Sequence, residues 1–353
     1  MDKAYITVDG SMGEGGGQVL RASLALSMAL GKPFHMTHIR ANRPKPGMKR
    51  QHLTCVSAAK AVSKATVTGD EINSTEISFI PESVQGGEYT FRIGTGGSIT
   101  MVLQAIVPPL LMTKESSKIT VIGGTHVPCA PPFEFTQQTL FPQLERLGPR
   151  ISARMEKVGY MDIGGGSATV EISPASQLVP FQSEDHGDFT GATAIIYGHN
   201  LPEGITEREA GILLSEKFAA LGLTRDTLRF KDGSDDADKT DLPVGGGNAV
   251  IVTLHHEKAA NVFGEIGWRG RSAEVVASYA CKRALEFLFS GAPIERHLAD
   301  QLLVPMALAG GGSFVTKGVS LHTKTCLAVV EKFTHLKSTI TQEKGKAVRI
   351  TLQ

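Results

Sequence analysis

The sequence predicts an α+β fold in which residues 1–184 and 291–353 form a large domain of three repeated αβ units and residues 185–290 form a smaller inserted αβ domain. Three observations lead there. The chain has 353 residues, enough for two domains. A unit of glycine-rich loop, helix and strand recurs three times. A segment of different character separates the second copy from the third.

The first copy is "GEGGGQVLRASLALSMALGKPFHMTHI", and its helix has a stop signal at Gly31 and Pro33. The second is "GTGGSITMVLQAIVPPLLMTKESSKITVI". The third is "AGGGSFVTKGVSLHTKTCLAVVEKFTHLKSTITQ". Stretches such as "SKITVIG" and "KAVRITL" alternate β-branched and polar residues, as strands do. Repeated units of this kind pack their helices on sheets. The intervening segment reads strand ("GATAIIYG"), helix, strand ("NAVIVTLHH"), strand ("NVFGEIGW"), helix. Its first helix opens with Thr206 and Glu209 at capping-box spacing. Its second, "SAEVVASYACKRALEFLF", has helical apolar spacing and ends at Gly291.

Composition excludes several classes. Apolar residues at 41% and charged residues at 20% are the fractions of a soluble globular protein. The opening "MDKAYITVDG" lacks the apolar core of a signal peptide. No apolar run approaches the roughly 20 residues of a membrane helix. The nearest, "MVLQAIVPPLLM", contains Pro108 and Pro109. Cys55, Cys129, Cys281 and Cys326 are far apart and form no CxxC pair. That argues against a zinc site or disulfide framework and for a reducing, cytoplasmic setting.

Net charge is +1, but unevenly spread. From Gly15 to Gly69 there is no Asp or Glu, while Arg21, Arg40, Arg43, Lys45, Lys49 and Arg50 all fall there. Acid gathers elsewhere, as in "DGSDDADKTD" from Asp232 to Asp241. A local basic field in a neutral chain points to a polyanionic ligand at one place.

Four stretches carry the chemistry. In "DGSMGEGGGQVLR" the glycines bring backbone N–H groups to a helix start, which suits a phosphate. A plain tight turn needs the same glycines. Neither a P-loop nor a dinucleotide fingerprint is present. Glu14 in the loop is placed to hold Mg²⁺ or Mn²⁺, or simply to compensate the helix N-terminus. In "HIRANRPKPGMKRQH", cations sit on a segment stiffened by Pro44 and Pro46, with neither helical nor strand spacing and no balancing acid. Arginine forks there suit polyphosphate or nucleic acid. "HLADQLLVPMALAGGGSF" reads by itself as a buried helix ending in glycines. In "KGVSLHTKTCLAVVEKF", Ser320 is a candidate N-cap, and Leu327, Val330 and Phe333 face inward. His322 falls in the first turn. There the helix dipole favours neutral imidazole, fit for a nucleophile, a base or nothing at all.

Together these stretches, with "GGTHVPCAPP", are similar to those of the RNA 3′-terminal phosphate cyclase family, in the family's order and over essentially the whole chain. The resemblance implies that family's architecture: three αβ repeats, related to the enolpyruvyl transferases, with a smaller inserted αβ domain. It implies ATP as cosubstrate, Mg²⁺ or Mn²⁺, and RNA with a 3′-phosphate end as partner, with a homodimer admitted and no membrane. The reaction implied passes through a covalent histidine–AMP and an RNA-adenylate to a 2′,3′-cyclic phosphate. The nucleophile falls on His322. The ATP site falls on Gln104 and on His297, Leu298, Ala299, Asp300 and Gln301. Glu14 falls on the metal ligand. Arg21, Arg40, Arg43, Arg50, Gln51 and His52 fall on the groups that neutralise phosphates.

Two positions depart from the family pattern. Val158 and Asp162 stand where a basic residue and a proline are expected, ahead of Gly164, Gly165 and Gly166. Cys326 follows Thr325 where the family has asparagine. The rival readings are a non-catalytic relative serving in ribosome assembly, an enolpyruvyl transferase and a plain RNA-binding module. The first lacks the histidine, the second needs neither histidine nor ATP, and the third leaves the C-terminal motifs unexplained.

Overall fold

The computed structural model of the chain describes residues 4–161, 164–232, 246–343, 345 and 347–353. Asp162 and most of the acidic loop read above lie outside the described residues. The first repeat runs β1 (Ile6–Asp9), α1 (Gly17–Leu30), β2 (Phe34–Thr37), α2 (Arg50–Ser63), β3 (Thr66–Thr68) and β4 (Ile77–Ile80). The second runs β5 (Gly87–Arg92), α3 (Ile99–Leu110) and β6 (Ser117–Gly123). Next comes a helix built of α4 (Phe133–Phe135), a π turn (Thr136–Leu140) and α5 (Phe141–Glu145). It ends with β7 (Arg150–Lys157) and β8 (Gly166–Ser173).

The third repeat opens with β9 (Phe181–Ser183) and is then interrupted. The intervening elements are β10 (Phe189–His199), α6 (Ile205–Leu213), β11 (Leu228–Asp232), β12 (Gly247–His256), β13 (Ala260–Ile266) and α7 (Ala273–Leu288). The repeat resumes with α8 (Arg296–Leu308), β14 (Gly312–Thr316), α9 (Leu321–Phe333), β15 (Ser338–Gln342) and β16 (Val348–Leu352).

All three repeats share one topology. Their sheets are ordered β1-β2-β4-β3, β5-β6-β8-β7 and β9-β14-β16-β15. In each, the first two strands are parallel and the other pairings antiparallel. The fold class is therefore the one the sequence predicts, but the repeat is larger. It is β-α-β-α-β-β rather than loop, helix and strand. Its third register also differs. The counterpart of α1 and α3 is α8, and α9 is a second helix, like α2. The sequence hides this because the third repeat's first strand lies more than a hundred residues ahead of its first helix.

The helices of the repeats pack on one another. α1 touches α2, α3, α8 and α9. It is buried along most of its length from Gln18 to Met28, with Arg21 its one charged residue. The sheets lie outside, with polar outer faces, as in the buried–exposed alternation of β6. Pro108 and Pro109 fall in the last turn of α3 and do not break it earlier. Among the described residues no helix is long and apolar enough to cross a membrane.

The intervening sheet, β11-β10-β12-β13, is buried on both faces. Val250, Val252 and Leu254 join Val276 and Ala280 of α7 in a second apolar cluster. Tyr197, Ala249, Ile251 and Val262 join the main core. That explains the unbroken apolar run "AVIV" in β12. Thr206 does not cap α6. Its N-cap is Gly204, and Glu209 is fully buried, accepting from Asn248 Nδ2 at 3.0 Å.

The joint between β9 and β14 depends on Gly312, whose φ is +140° and where a Cβ would stand 2.0 Å from the Phe181 carbonyl oxygen. At Gly291 φ is +63°, but a Cβ meets nothing within 4 Å. Gly312→Ala is expected to cost at least about 2 kcal/mol, against about 1 kcal/mol for Gly291→Ala. Equal shifts in the thermal midpoints of the two variants would show that this joint contributes no stability.

Candidate active site

His322 is the second residue of α9, whose N-cap Ser320 accepts from Thr323 N at 3.0 Å. Thr323, Leu327, Val330 and Phe333 bury the inner face of the helix. That leaves His322 half-buried at its mouth. Its Nδ1 lies 2.8 Å from Gln18 Oε1, and Gln18 Nε2 donates to Asp300 Oδ2 at 2.8 Å. With the Gln18 amide oriented by Asp300, its oxygen faces the ring. Nδ1 is then the protonated nitrogen and Nε2 keeps the lone pair. Burial lowers the His322 pKa. Glu14 opposes this, while Arg21, Arg43 and Arg296 lower it further. The ring is neutral at neutral pH.

The first glycine loop is clamped to this helix. Glu14 N donates to Thr325 Oγ1 at 2.9 Å, and Thr325 Oγ1 donates to Leu321 O at 2.7 Å. A Cβ on Gly13 would stand 2.1 Å from Thr325 Oγ1, so only glycine allows this approach. Glu14 Oε1 pairs with Arg43, and its Oε2 is buried with no partner among the described residues. Helix α1 begins at Gly17 with no side-chain cap and no acid in its first turn. Its leading N–H groups are thus available to an anion.

A cavity of about 450 Å³ opens between these groups, a volume typical of small-ligand sites. His322, Gln18, Arg21, Arg43, Gln104, His297, Asp300 and Gln301 line it. Arg21 Nε donates to Gln104 Oε1 at 3.0 Å, Gln104 Nε2 to Gln301 Oε1 at 2.9 Å, and Gln301 Nε2 to His297 O at 3.0 Å. This chain ties α1, α3 and α8 together. Burial, then Arg283 and Arg296, bring the His297 pKa down to about 3. Burial, then Glu295, push the Asp300 carboxyl up to about 7.

Other predicted positions stand outside the cavity wall. Leu298 and Ala299 are buried in the core. Arg40 Nη1 donates to the carbonyls of Lys45 and Gly47 at 2.8 and 2.7 Å, bracing the basic segment. Arg50 opens α2 and is exposed. Gln51 Oε1 accepts from Ser98 N at 2.7 Å, fixing the second glycine loop ahead of α3. His52 is buried beneath Gly17. Burial, then Arg21, Arg40 and Lys49, bring its pKa down to about 3.

Gln18 lies within the glycine motif quoted above, but nothing local to it marks a role beyond its being a glutamine in an otherwise apolar first turn. Cys326 is buried against the core. Burial, with Asp300 adding, keeps its thiol protonated. Val158 is buried too, so the loop that departs from the family pattern packs inward there. Gly164 still meets the second glycine loop, since a Cβ there would stand 2.6 Å from Thr95 O.

A neutral, oriented imidazole facing a cation-lined cavity beside an uncapped helix start is chemically suited to transfer at phosphorus. The comparisons with known proteins agree. The model of the RNA 3′-terminal phosphate cyclase family matches residues 12–340. Three proteins named RNA 3′-terminal phosphate cyclase are similar to this chain. That of Koribacter versatilis is 39% identical over 97% of this chain and 93% of its own length. That of Ectopseudomonas mendocina is 37% identical over 100% and 99%. That of Salmonella enteritidis is 38% identical over 98% of each. The chain belongs to the RNA 3′-terminal phosphate cyclase family.

Asp300 gives this site a measurable pH signature. Its folded pKa of about 7 exceeds the unfolded value of 3.8. The folded state therefore binds more protons, and Asp300 costs stability increasingly as pH rises from about 4 to about 7. The thermal midpoint of Asp300→Asn relative to the parent is expected to rise over that window and level off above it. A flat difference from about pH 4 to about pH 8 would contradict the assignment.

Proposed function

We propose that this protein uses ATP to convert an RNA 3′-phosphate end into a 2′,3′-cyclic phosphate. Family membership supports the reaction. The observation that carries the role of His322 is its Nδ1–H bond to Gln18, which leaves the Nε2 lone pair for the cavity. In the first step Nε2 attacks the α-phosphorus of ATP, forming a P–N bond and releasing pyrophosphate. In the second an oxygen of the RNA 3′-phosphate attacks that phosphorus. The P–N bond breaks, and AMP is joined to the RNA as an anhydride. In the third the adjacent 2′-OH attacks the RNA phosphorus and AMP leaves. A phosphomonoester has no good leaving group of its own, which is why AMP is attached first.

The residues divide by position. Gln104, His297, Asp300 and Gln301 form the wall for the nucleoside part of ATP. Arg21, Arg43 and the α1 N-terminus receive the phosphates. Arg40, Gln51 and His52 shape the loops that present them, and Leu298 and Ala299 hold α8 in register. Arg50, exposed at the start of α2, takes the outer phosphate of either substrate.

The unpartnered Oε2 of Glu14 fits a divalent cation, since Mg²⁺ is commonly held by one carboxylate plus substrate phosphate oxygens. Bound there, Mg²⁺ or Mn²⁺ would offset triphosphate charge. We further propose that residues 185–290 are an inserted domain, supported by their own apolar cluster. The four free thiols suit a reducing cytoplasm.

Incubation with [α-³²P]ATP and Mg²⁺ or Mn²⁺ is expected to label the protein through an acid-labile, alkali-stable bond. The label should be absent from His322→Ala. Because the imidazole pKa lies below its ordinary 6.5, labelling should persist at mildly acidic pH. No label with any divalent metal would sink the adenylation step. Arg43→Ala and Arg50→Ala are expected to fold and to lose cyclisation of a 3′-phosphorylated oligonucleotide by about tenfold or more. Full activity in both would remove the basic segment from the phosphate site.

A further inference from the structure

Trp268 is the single tryptophan of the chain, and half its surface is exposed. It follows the end of β13 and lines the same cavity as His322, Arg21 and Gln104. Its ring is held in place. The Arg271 guanidinium lies 4.3 Å from the indole centre and 5.1 Å from the centre of Tyr279. Arg271 Nη1 pairs with Glu265 and donates to Ile266 O at 3.3 Å, and the Arg271 side chain is only 11% exposed. Arg283 adds a 3.6 Å ion pair to the same carboxylate.

The backbone is fixed as well. Gly267 N donates to Asn248 O at 2.9 Å. Arg271 N donates to Trp268 O at 3.0 Å, closing a four-residue turn with Gly270 at φ +87°. Glycine at the third position is what such a turn demands. With Arg271 against one face, the exposed half of the indole is left to the cavity and to solvent. Holding a large aromatic half in water forgoes burial that it gains elsewhere in proteins. Stacking platforms for nucleic-acid bases have this form, an aromatic ring fixed before the ligand arrives.

We propose that Trp268 is the stacking platform for the base at or next to the 3′ end of the RNA. The proposal rests on the function argued above. ATP is assigned to the wall made by α3 and α8, through Gln104, His297, Asp300 and Gln301. Trp268 comes from a different wall, the end of β13, and is left for a second base. Every base presents a π face, so stacking retains RNA ends without regard to sequence.

As the only tryptophan, Trp268 reports on itself by fluorescence. With the nucleotide pocket filled by AMP, a short 3′-phosphorylated oligoribonucleotide is expected to quench its emission. An oligonucleotide abasic at its last two positions should quench far less. Trp268→Ala is expected to raise KM for the RNA about tenfold, and Trp268→Phe to recover most of the loss. Quenching by AMP to which RNA adds nothing would place the ring over adenine and overturn the proposal. Absence of quenching by either, or one KM shared by all three proteins, would overturn it too. Labelling from ATP alone separates the two levels. A labelled protein without RNA quenching overturns only the platform, whereas an unlabelled protein overturns the reaction beneath it.

Discussion

Everything in the large body is arranged around the burial of α1. Its sequence is apolar on almost every side, so it is stable only when surrounded. The helices α2, α3, α8 and α9 surround it, and the three sheets cover those helices. Arg21 is carried inward with it. A buried guanidinium must find acceptors. Gln104 supplies one, and the phosphates of a ligand are suited to supply the rest. The core and the anion site are thus two consequences of one buried helix.

The same packing orients the proposed nucleophile. Asp300, Gln18 and His322 come from three helices and meet in one line of hydrogen bonds. The histidines at and beneath the cavity are held in their neutral forms. Burial lowers His52, His297 and His322 and raises Asp300. Arginines, which stay charged under such conditions, then dominate the field where phosphate would sit.

The intervening sheet is joined to this body by polar as well as apolar contacts. Tyr197 donates to Glu134 Oε1 at 2.5 Å, and His126 Nε2 lies 3.1 Å from Glu134 Oε2. Burial would raise Glu134, but His126, the Tyr197 hydroxyl and the local backbone N–H together more than offset this and keep the carboxyl below its ordinary value. Removing one partner of such a buried set leaves another uncompensated. The sheet that carries Trp268 to the cavity is therefore positioned by these buried polar contacts in addition to area.

Local pattern was enough for α1, α9 with its Ser320 cap, the β-branched strands and the acid-free basic segment. Each is set by residues a few positions apart. The motifs also sufficed to name the family. Pattern failed where distant residues decided the outcome. Gly204 rather than Thr206 is the N-cap of α6, and Glu209 is buried against Asn248 instead of closing a capping box. The third repeat starts with β9, which no local signal connects to α8. His322 had a chemical type and a place in sequence, but its tautomer depends on Gln18, 304 positions away, and Gln18 on Asp300, 282 positions away. Trp268 closes the strand pattern "NVFGEIGW", and its place depends on Arg271, Glu265 and the turn at Gly270 that hold it. The sequence by itself determined which elements form and which chemistry the chain carries. The tertiary structure alone decided which nitrogen keeps its lone pair and that Trp268 reaches the cavity. Both depend on hydrogen bonds and ring contacts whose partners chain order does not bring together.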